Sequence, residues 1–343
     1  MTANRPAAPG GYPLPLTFLL GLSDSGKEYV RLGRNLRPQI TLMGTCSYMP
    51  HLTPGRFAIQ ELWLGEQGRK KFPEPAAPLV NYIADPDSHA IALKQAIEIV
   101  EKTGRPCFND PRLIAQTRRD QIAERLSGVA GMNIPRTVLI KPSRPGDFAA
   151  AAEKHSLNYP IIVRLAGDHG GVSTLRIDDT GKWDETFALP WIGRSAYLTE
   201  FADFHDADGL YRKCRIIFTG GKMMLHHVII SKEWLVHRGS RLNTDQTAEE
   251  ERYWLSAFEH DHLPRFQGTL SEIRRIIGLD YFGLDCHLGQ NNVITLFECN
   301  AAMNVLSYGH ESSHWNEPKA RIRSRLEAAL EKFARTSANT TPA

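Results

Sequence analysis

Two carboxylates stand inside otherwise apolar stretches near the end of this 343-residue sequence. Asp285 lies in GLDCHL and Glu298 lies in LFECN, and the turn formers between these runs predict a hairpin. Because side chains on a strand alternate between its faces, the hairpin would bring both carboxylates and Asn300 to one face. Oxygen ligands of this kind suit Mg²⁺. The alternative is a buried salt bridge to an arginine or lysine.

Cations occupy equally unusual positions on other predicted strands. Arg164 lies inside PIIVRL, directly before a turn that contains Gly170 and Gly171. Lys213 and Arg215 share one face of the run KCRIIF. Buried strand positions rarely hold cations, so each of these side chains needs an anion. Glycine amides beside Arg164 can close over phosphate oxygens, and a magnesium-bound nucleotide between the strands would compensate all of these charges.

A glycine-containing segment near the start has the spacing of a phosphate-binding loop. The stretch from Gly21 to Lys27 reads G-x4-G-K and follows a predicted strand. The next residue is Glu28, at the position where that motif has a Ser or Thr hydroxyl for magnesium. Because a carboxylate there would repel phosphates, the segment is predicted to be a strand-ending turn.

The stretch from His310 to His314 matches the H-E-x-x-H motif of zinc hydrolases. That chemistry needs both imidazoles on one face of a continuous helix, but Gly309 precedes the stretch and Pro318 follows it closely. The sequence therefore favours a polar loop or a rim that faces substrate, and a zinc hydrolase stays open as an alternative.

Composition restricts the class of protein. Hydrophobic residues make up 42% and charged residues 23%, which excludes a largely disordered chain. The net charge of +3 is too small to indicate a nucleic-acid partner. No apolar run approaches about 18 residues, which excludes a helical membrane protein. Five scattered cysteines without a CxxC pair, and a start without signal-peptide features, predict a cytoplasmic protein.

The predicted elements divide the chain into two parts near residues 105–111. Residues 14–108 alternate strands with a helix, as in a small open α/β domain, and residues 109–335 have an α+β pattern. Residues 1–13 and 336–343 are expected to be loose termini.

Particular elements follow from local signals in the sequence. Apolar runs predict buried strands at Leu14–Leu20 and Leu79–Ala84, and Ser88 can cap the helix that follows the second run. A helix is predicted from Arg112 to Gly128, and a final helix is predicted to begin near Pro318.

Taken in order, the charged segments resemble the ATP-grasp fold. The resemblance covers residues 109–306 and rests on Arg119-Asp120, IVRLAGDHGGVSTL, LTEFADF, RKCRIIFTGGK, GLDC and FECN. It extends to glutathione synthetases, D-alanine–D-alanine ligases and ribosomal-protein glutamate ligases. It is closest to ATP-grasp-like regions attached to bacterial tetratricopeptide repeat proteins, through YRKCR, HHVIISKEWLVH and LDYFGLDC. It implies two α+β lobes, 109–199 and 200–335, preceded by a small Rossmann-like pre-ATP-grasp domain at 14–108.

The resemblance assigns roles to individual residues. ATP would be bound by four groups of residues. The phosphates would meet the arginines Arg119 and Arg164 and a flexible loop with Gly170 and Gly171. Adenine would meet a hinge formed by Glu200, Phe201 and Ala202, and the ribose would lie near Asp203 or Asp208. The implied magnesium ligands are Asp285, Glu298 and Asn300, for two Mg²⁺ ions that Mn²⁺ can replace. The sequence departs from the family in lacking Pro and Gly after Asn300 and in having Lys213 where an acid is common.

The implied reaction joins a carboxylate to an amine through an acyl phosphate and releases ADP and phosphate. Arg215 and Lys213 would act at the transferred phosphate, and His227 or His237 would accept the proton of the amine. The expected partners are small-molecule or peptide substrates, without nucleic acid or membrane, and a homodimer is among the expected assemblies. The alternatives are a Mg-ATP-binding protein without ligase activity and a small-molecule kinase.

Overall fold

The structure is a computed structural model that describes residues 12–27, 29–32, 38–66, 72–75, 77–168, 171, 173–306 and 313–338. The strands are β1 (Leu14–Gly21), β2 (Tyr29–Leu32), β3 (Pro38–Thr41), β4 (Phe57–Leu64), β5 (Leu79–Asn81), β6 (Cys107–Phe108), β7 (Met132–Asn133), β8 (Thr137–Ile140), β9 (Ile161–Leu165), β10 (Thr174–Ile177), β11 (Ala196–Glu200), β12 (Tyr211–Thr219), β13 (Lys222–Ser231), β14 (Tyr281–Leu288) and β15 (Ile294–Asn300). The α-helices are α1 (Ala90–Thr103), α2 (Pro111–Ile114), α3 (Arg119–Leu126), α4 (Gly146–Lys154), α5 (Asp245–Ala257), α6 (Leu263–Ile277) and α7 (Asn316–Ala338).

The N-terminal sheet is parallel, with strand order β4-β1-β5-β6. Its central strand β1 is an apolar run with Leu16 and Phe18 fully buried, as expected for a strand covered on both faces. Helix α1 packs on this sheet through Leu93 and Ala96, which recur at helical spacing. The helix ends at Gly104, whose φ of 60° is left-handed and suits glycine. A parallel sheet and a covering helix therefore make up this part of the described chain.

The start of α1 explains the segment that resembles a phosphate-binding loop. The carboxylate of Asp24 accepts hydrogen bonds from the backbone N–H groups of Ala90 and Ile91, at 2.8 and 3.0 Å. The N-cap residue is His89, and its side chain makes no capping bond, so the prediction that Ser88 caps this helix is wrong. An acidic side chain therefore occupies the end of the helix that attracts anions. This arrangement agrees with the predicted turn, while Glu28 itself lies outside the described residues.

A second, antiparallel sheet forms a small lobe. Its strand order is β10-β9-β11-β8, and α4 and a 3-10 segment at Thr180–Ala188 cover one face. The lobe has its own apolar core, which includes Phe148 of α4, Val163 of β9 and Leu198 of β11, all fully buried. The opposite face of β9 carries the half-buried Ile162 and Arg164. This alternation leaves one face of the small lobe free to line a cavity.

The large sheet has strand order β13-β12-β14-β15-β7 and shares one continuous core with the N-terminal sheet. Rings of Phe218 on β12 and Phe282 on β14 stack at 4.4 Å within it. Helix α7 packs against β1, β12 and β13, which places its buried Leu326 between the two sheets. The N-terminal sheet and the large sheet therefore share one core, and the small lobe has a separate one.

Asn109 joins the N-terminal sheet to the large sheet. Its side-chain Nδ2 donates to the carbonyl of Tyr281 at 2.8 Å, and its Oδ1 accepts from the Tyr281 N–H at 2.8 Å. Its backbone carbonyl accepts from Asn81 Nδ2 at 3.1 Å. The φ of 55° at Asn109 is left-handed, a conformation that Asn adopts more readily than most residues. The predicted boundary is thus a fully buried, hydrogen-bonded junction.

Some predicted elements differ from the structure. The helix predicted from Arg112 to Gly128 is two helices, α2 and α3, because Thr117 bonds back to Ile114 and Arg118 is extended, with ψ of 149°. The final helix begins at Asn316. Helices α5 and α6, which the sequence analysis did not assign, cover the large sheet. Within the described residues, every helix is too short or too polar to cross a membrane.

Candidate functional site

A cavity of about 480 Å³ lies between the small lobe and the large sheet. Side chains from β9 and β11 line one wall, and side chains from β12 to β15 line the other. Its volume falls within the range of about 300 to 1,000 Å³ that is usual for small-molecule sites. The cavity therefore brings together the charged strands that the sequence analysis singled out.

The cavity is charged at one end and apolar at the other. Strand β9 lines the cavity with Ile162 and, two residues later, Arg164. Strand β15 does so with Leu296 and, two residues later, Glu298. The register pairs Arg164 with Tyr197 and Ile162 with Thr199, so the apolar end adjoins the segment that leaves β11. That segment contains the predicted hinge, and Glu200, Phe201 and Ala202 all line the cavity. An apolar slot next to a cluster of cations suits a ligand with an aromatic base and phosphates.

Asp285 lies at the charged end, directly opposite Glu298 in the β14–β15 hairpin. Its carboxylate accepts from Arg215 Nε at 2.7 Å and from Arg215 Nη2 at 2.9 Å, and Lys213 Nζ lies 3.3 Å from Oδ2. The side chain is only 3% exposed. Burial by itself would raise the pKa of Asp285, but Arg215 and Lys213 outweigh it and hold the pKa well below its usual range. The carboxylate is therefore ionised at neutral pH, bound by two cations.

Glu298 makes a second ion pair, with Arg119 at the start of α3. Arg119 Nη2 lies 2.7 Å from Glu298 Oε1, and Arg119 Nη1 donates to the carbonyl of Phe297 at 2.8 Å. Asn300 Nδ2 donates to the same Glu298 oxygen at 2.8 Å. Burial alone would lower the pKa of Arg119, but Glu298 outweighs it and raises that pKa. These contacts position α3 against the end of β15.

The three predicted magnesium ligands have suitable chemistry but do not fit the ion as they are arranged. Both oxygens of Asp285 are bound by cations, and Glu298 Oε1 is shared between Arg119 and an Asn300 N–H. Across the described ranges, no three His, Cys, Asp or Glu side chains lie close enough together to hold a metal ion. At Asp285 the structure thus shows the salt bridge that the sequence analysis kept as the alternative, and the magnesium assignment stays a prediction.

Arg164 is the cation of this cluster without a carboxylate partner. Its Nη2 donates to the backbone carbonyl of Asp168 at 2.7 Å, while the Asp168 carboxylate binds Arg194 instead. Among the described residues, no Asp or Glu side chain forms a salt bridge with Arg164. Burial and the neighbouring charge of Arg119 lower the pKa of Arg164 to about 10. The structure therefore leaves one partly buried positive charge facing the cavity.

Two adjacent histidines line the cavity on β13. His226 Nε2 lies 2.8 Å from the carbonyl of Val305, so this nitrogen must carry the proton. His226 Nδ1 then accepts from His227 Nδ1 at 2.6 Å, which leaves the lone pair of neutral His227 on Nε2. Burial and then Arg215 lower the pKa of His226 to about 3, and burial and then His226 lower the pKa of His227 well below its usual value. Both rings are neutral at physiological pH.

The residues after β13 line the remaining side of the cavity, including Trp234, His237 and Arg241. His237 Nδ1 accepts from the Gly239 N–H at 2.8 Å and so caps a short 3-10 turn. Arg241 binds Glu251 at 2.7 Å and lies over the Trp315 ring at 4.6 Å. Trp315 also lines the cavity, and no signal in the sequence at that position indicates a cavity residue.

Two of the predicted nucleotide contacts do not line the cavity. Asp203 binds His205 Nδ1 at 2.7 Å, and Asp208 binds Arg212 at 2.7 Å. Asp208 lines a separate cleft on the other side of β12. Gly170 lies outside the described residues, whereas Gly171 lines the cavity with a left-handed φ of 79°.

The H-E-x-x-H segment lies mostly outside the described residues, which include neither His310 nor Glu311. Its last residue, His314, belongs to a 3-10 turn at Ser313–Trp315 and lies 3.2 Å from Glu251 Oε2. The α-helix begins after this turn, at Asn316. The described part of the segment therefore lacks the helix that a zinc hydrolase motif needs.

No family model matches the sequence, and no curated protein matches it. Solved structures do match. D-alanyl-alanine synthetase A of Vibrio cholerae has 11% identity and a TM-score of 0.53, with 96% of this chain and 100% of that chain covered. D-alanine–D-alanine ligase of Bacillus anthracis has 11% identity and a TM-score of 0.51, with 95% and 97% covered. Carboxyaminoimidazole ribonucleotide synthase of Aspergillus clavatus, complexed with ATP, has 14% identity and a TM-score of 0.42, with 67% of this chain and 55% of that chain covered.

The first two matches extend over nearly the whole length of both chains. The chain covers about half of the Aspergillus clavatus synthase, which is the longer protein. At these identities the likeness concerns the fold, and it confirms the resemblance drawn from the charged segments at that level. The chain therefore has the ATP-grasp fold.

Proposed function

We propose that the chain is an ATP-dependent ligase that joins a carboxylate to an amine through an acyl phosphate. The observation that carries the proposal is Arg164, a partly buried cation beside Arg119 that has no carboxylate partner among the described residues. Such a charge needs an anion that the described protein does not supply, and the cavity offers room for one. A fold shared with a synthetase and a ligase supports the class of reaction.

The polarity of the cavity orients ATP. The adenine occupies the apolar end formed by Ile162 and Leu296, beside the segment from Glu200 to Ala202. The triphosphate then extends along β9 and β15 toward Arg164 and Arg119. Phe201 N already donates to the carbonyl of Pro160 at 2.8 Å, so the backbone of this segment is held in place before the nucleotide binds.

The reaction proceeds by two displacements. An oxygen of the substrate carboxylate attacks the γ-phosphorus, the bond to the bridging oxygen breaks, and ADP leaves. The amine nitrogen then attacks the acyl carbon, the C–O bond breaks, phosphate leaves, and the nitrogen loses a proton. Lys213 and Arg215 neutralise charge at the transferred phosphoryl group, and both are fixed in position by Asp285. The protein contributes positioning and charge rather than a covalent intermediate.

The amine enters from the side of β13 and the residues after it. His227 Nε2 carries a lone pair, is buried and has no hydrogen-bond partner among the described groups. This nitrogen suits acceptance of the amine proton once a small rotation of the ring exposes it. His237 is the weaker candidate, because its Nδ1 already accepts a backbone hydrogen bond.

Arg164→Met tests the proposal directly. One charge-assisted hydrogen bond is worth about 1.5 to 3 kcal/mol, so the variant should bind an ATP analogue about 10- to 100-fold more weakly by calorimetry. The matched control is Arg144→Met, since Arg144 is 83% exposed and pairs only with the nearby Asp147 among the described acids. Equal affinities for the two variants would contradict the role of Arg164.

A phosphate-release screen with paired acids and amines tests the reaction itself. Release that requires both an acid and an amine, with an amide detected by mass spectrometry, is the expected result. A stable phosphorylated acid without dependence on amine would identify a kinase. Tight analogue binding without turnover across the panel would identify a nucleotide-binding protein that lacks ligase activity.

A further inference from the structure

Lys213 occupies an unexpected place for a lysine in this cavity. It lies on β12, two residues before Arg215, so that both side chains point to the face where Asp285 lies. Its side chain is 16% exposed, and its ammonium lies 3.3 Å from Asp285 Oδ2. Arg215 takes the remaining positions on the same carboxylate with two hydrogen bonds. Asp285 therefore has a cation on each oxygen without any added ion.

A divalent ion at Asp285 would have to displace these cations. Mg²⁺ binds a carboxylate oxygen at about 2.0 to 2.1 Å, inside the separation between Asp285 Oδ2 and the Lys213 ammonium. Two like charges a few ångströms apart repel by several kcal/mol where water is largely excluded. The strand pairing places Arg215 opposite Asp285, with its Nε at Oδ1, so an ion that approaches Oδ2 meets the Lys213 ammonium.

We propose that the Lys213 ammonium takes the place of a divalent ion beside Asp285, so that the chain binds its nucleotide with one divalent ion instead of two. The proposal rests on the proposed function, because it presupposes a nucleotide in this cavity. The one remaining ion is the one that the triphosphate carries. Lys213 then supplies a permanent single charge at the point where the phosphoryl group is transferred.

The number of bound divalent ions tests this proposal without relying on activity. Mn²⁺ is titrated into the full chain saturated with a non-hydrolysable ATP analogue, and free Mn²⁺ is counted by electron paramagnetic resonance. We expect about one bound Mn²⁺ per chain. Two tightly bound ions in the unmodified protein would overturn the proposal.

Lys213→Glu provides the converse measurement. The variant removes the ammonium and adds a carboxylate beside Asp285, so the stoichiometry should rise to about two. Arg144→Glu makes the same charge change at an exposed site outside the cavity lining and should leave the number of bound ions at about one. If Lys213→Glu folds, as judged by circular dichroism, and still binds one ion, the proposal is wrong. If the variant does not fold, the proposal is judged by the number of Mn²⁺ ions that the unmodified protein binds.

Analogue binding is measured in the same samples by calorimetry. Failure of the analogue to bind would overturn the proposed function, and this inference with it. Binding of the analogue with two Mn²⁺ ions would leave the proposed function intact and overturn this inference alone.

Discussion

Arg164, Arg119, Lys213 and Arg215 surround two carboxylates, so the side chains at the charged end of the cavity carry an excess of positive charge. The carboxylates fix three of these cations in position, and Arg164 is held by a backbone carbonyl instead. A site prepared in this way loses little free energy to reorganisation when an anion arrives. In the proposed function, this excess charge and the Arg164 guanidinium within it would attract the phosphates of the nucleotide.

The buried His226 makes folding stability depend on pH. Its pKa is about 3 in the folded protein and near 6.5 when unfolded, so only the unfolded chain takes up the proton between these values. Stability is therefore complete above about pH 6.5 and falls as the pH decreases. Between about pH 7 and pH 5.5 this histidine should account for a loss of about 1 kcal/mol in the free energy of unfolding.

Urea denaturation at both pH values measures this loss, and His226→Gln should reduce it. His205→Gln is the control, since His205 is exposed and its pKa is raised by Asp203. A variant His226→Gln with the same pH dependence as the unmodified protein would contradict the assignment of a neutral, buried ring.

At the scale of elements, the junction at Asn109 determines how the N-terminal sheet meets β14. Asn109→Gly keeps the left-handed backbone but removes both hydrogen bonds to Tyr281, and should cost about 2 kcal/mol of stability. Asn109→Ala removes the same bonds and adds the strain of a left-handed alanine, about 1 kcal/mol more. Chemical denaturation of the two variants separates the two effects. If both variants are as stable as the unmodified protein, the hydrogen bonds at this junction do not contribute to the free energy of unfolding.

Local patterns in the sequence were enough to predict the elements that carry the charged residues. Strand alternation around Asp285 and Glu298 predicts the hairpin that the structure shows. One carboxylate in each otherwise apolar strand indicates which face of that strand carries the polar side chains. The break between α2 and α3 could not be predicted, because Thr117 and Arg118 are tolerated inside helices. The capping of α1 by Asp24 was also beyond reach, because it depends on a contact between residues distant in sequence.

The predicted site residues divide in the same way. Positions inside strands, such as Arg164 and Arg215, reach the cavity because strand periodicity determines their direction. Asp203 and Asp208 lie in a loop where periodicity gives no direction, and they bind His205 and Arg212 instead. The ion pairs could not be predicted in the same way, because the sequence does not show which cation would bind Asp285.

At the scale of the whole molecule, the small lobe and the N-terminal sheet are linked by Tyr197 and Asp87. The Tyr197 hydroxyl lies 2.8 Å from both oxygens of Asp87, and its ring is almost fully buried. Tyr197→Phe removes this bond and should lower the free energy of unfolding of the small lobe by about 1 to 2 kcal/mol.

Hydrogen exchange should locate that effect. In Tyr197→Phe, amides of β8, β9 and β11 should exchange faster, while those of β1 and β14 should not change, because the small lobe has a core of its own. Asp87→Asn, which can still accept a hydrogen bond, is the control and should show a smaller increase. Uniformly faster exchange would mean that the bond stabilises the whole molecule rather than the lobe.

The segment that contains Asp87 also lies close to the turn after β9, since a Cβ on Gly167 would lie 3.7 Å from Ser88. These two approaches of the small lobe to the N-terminal part of the chain fall on consecutive residues. Gly171 and Leu235 both line the cavity, and a Cβ at residue 171 would lie 3.6 Å from the Leu235 side chain. Because glycine lacks that atom, this part of the lining stays open to a ligand.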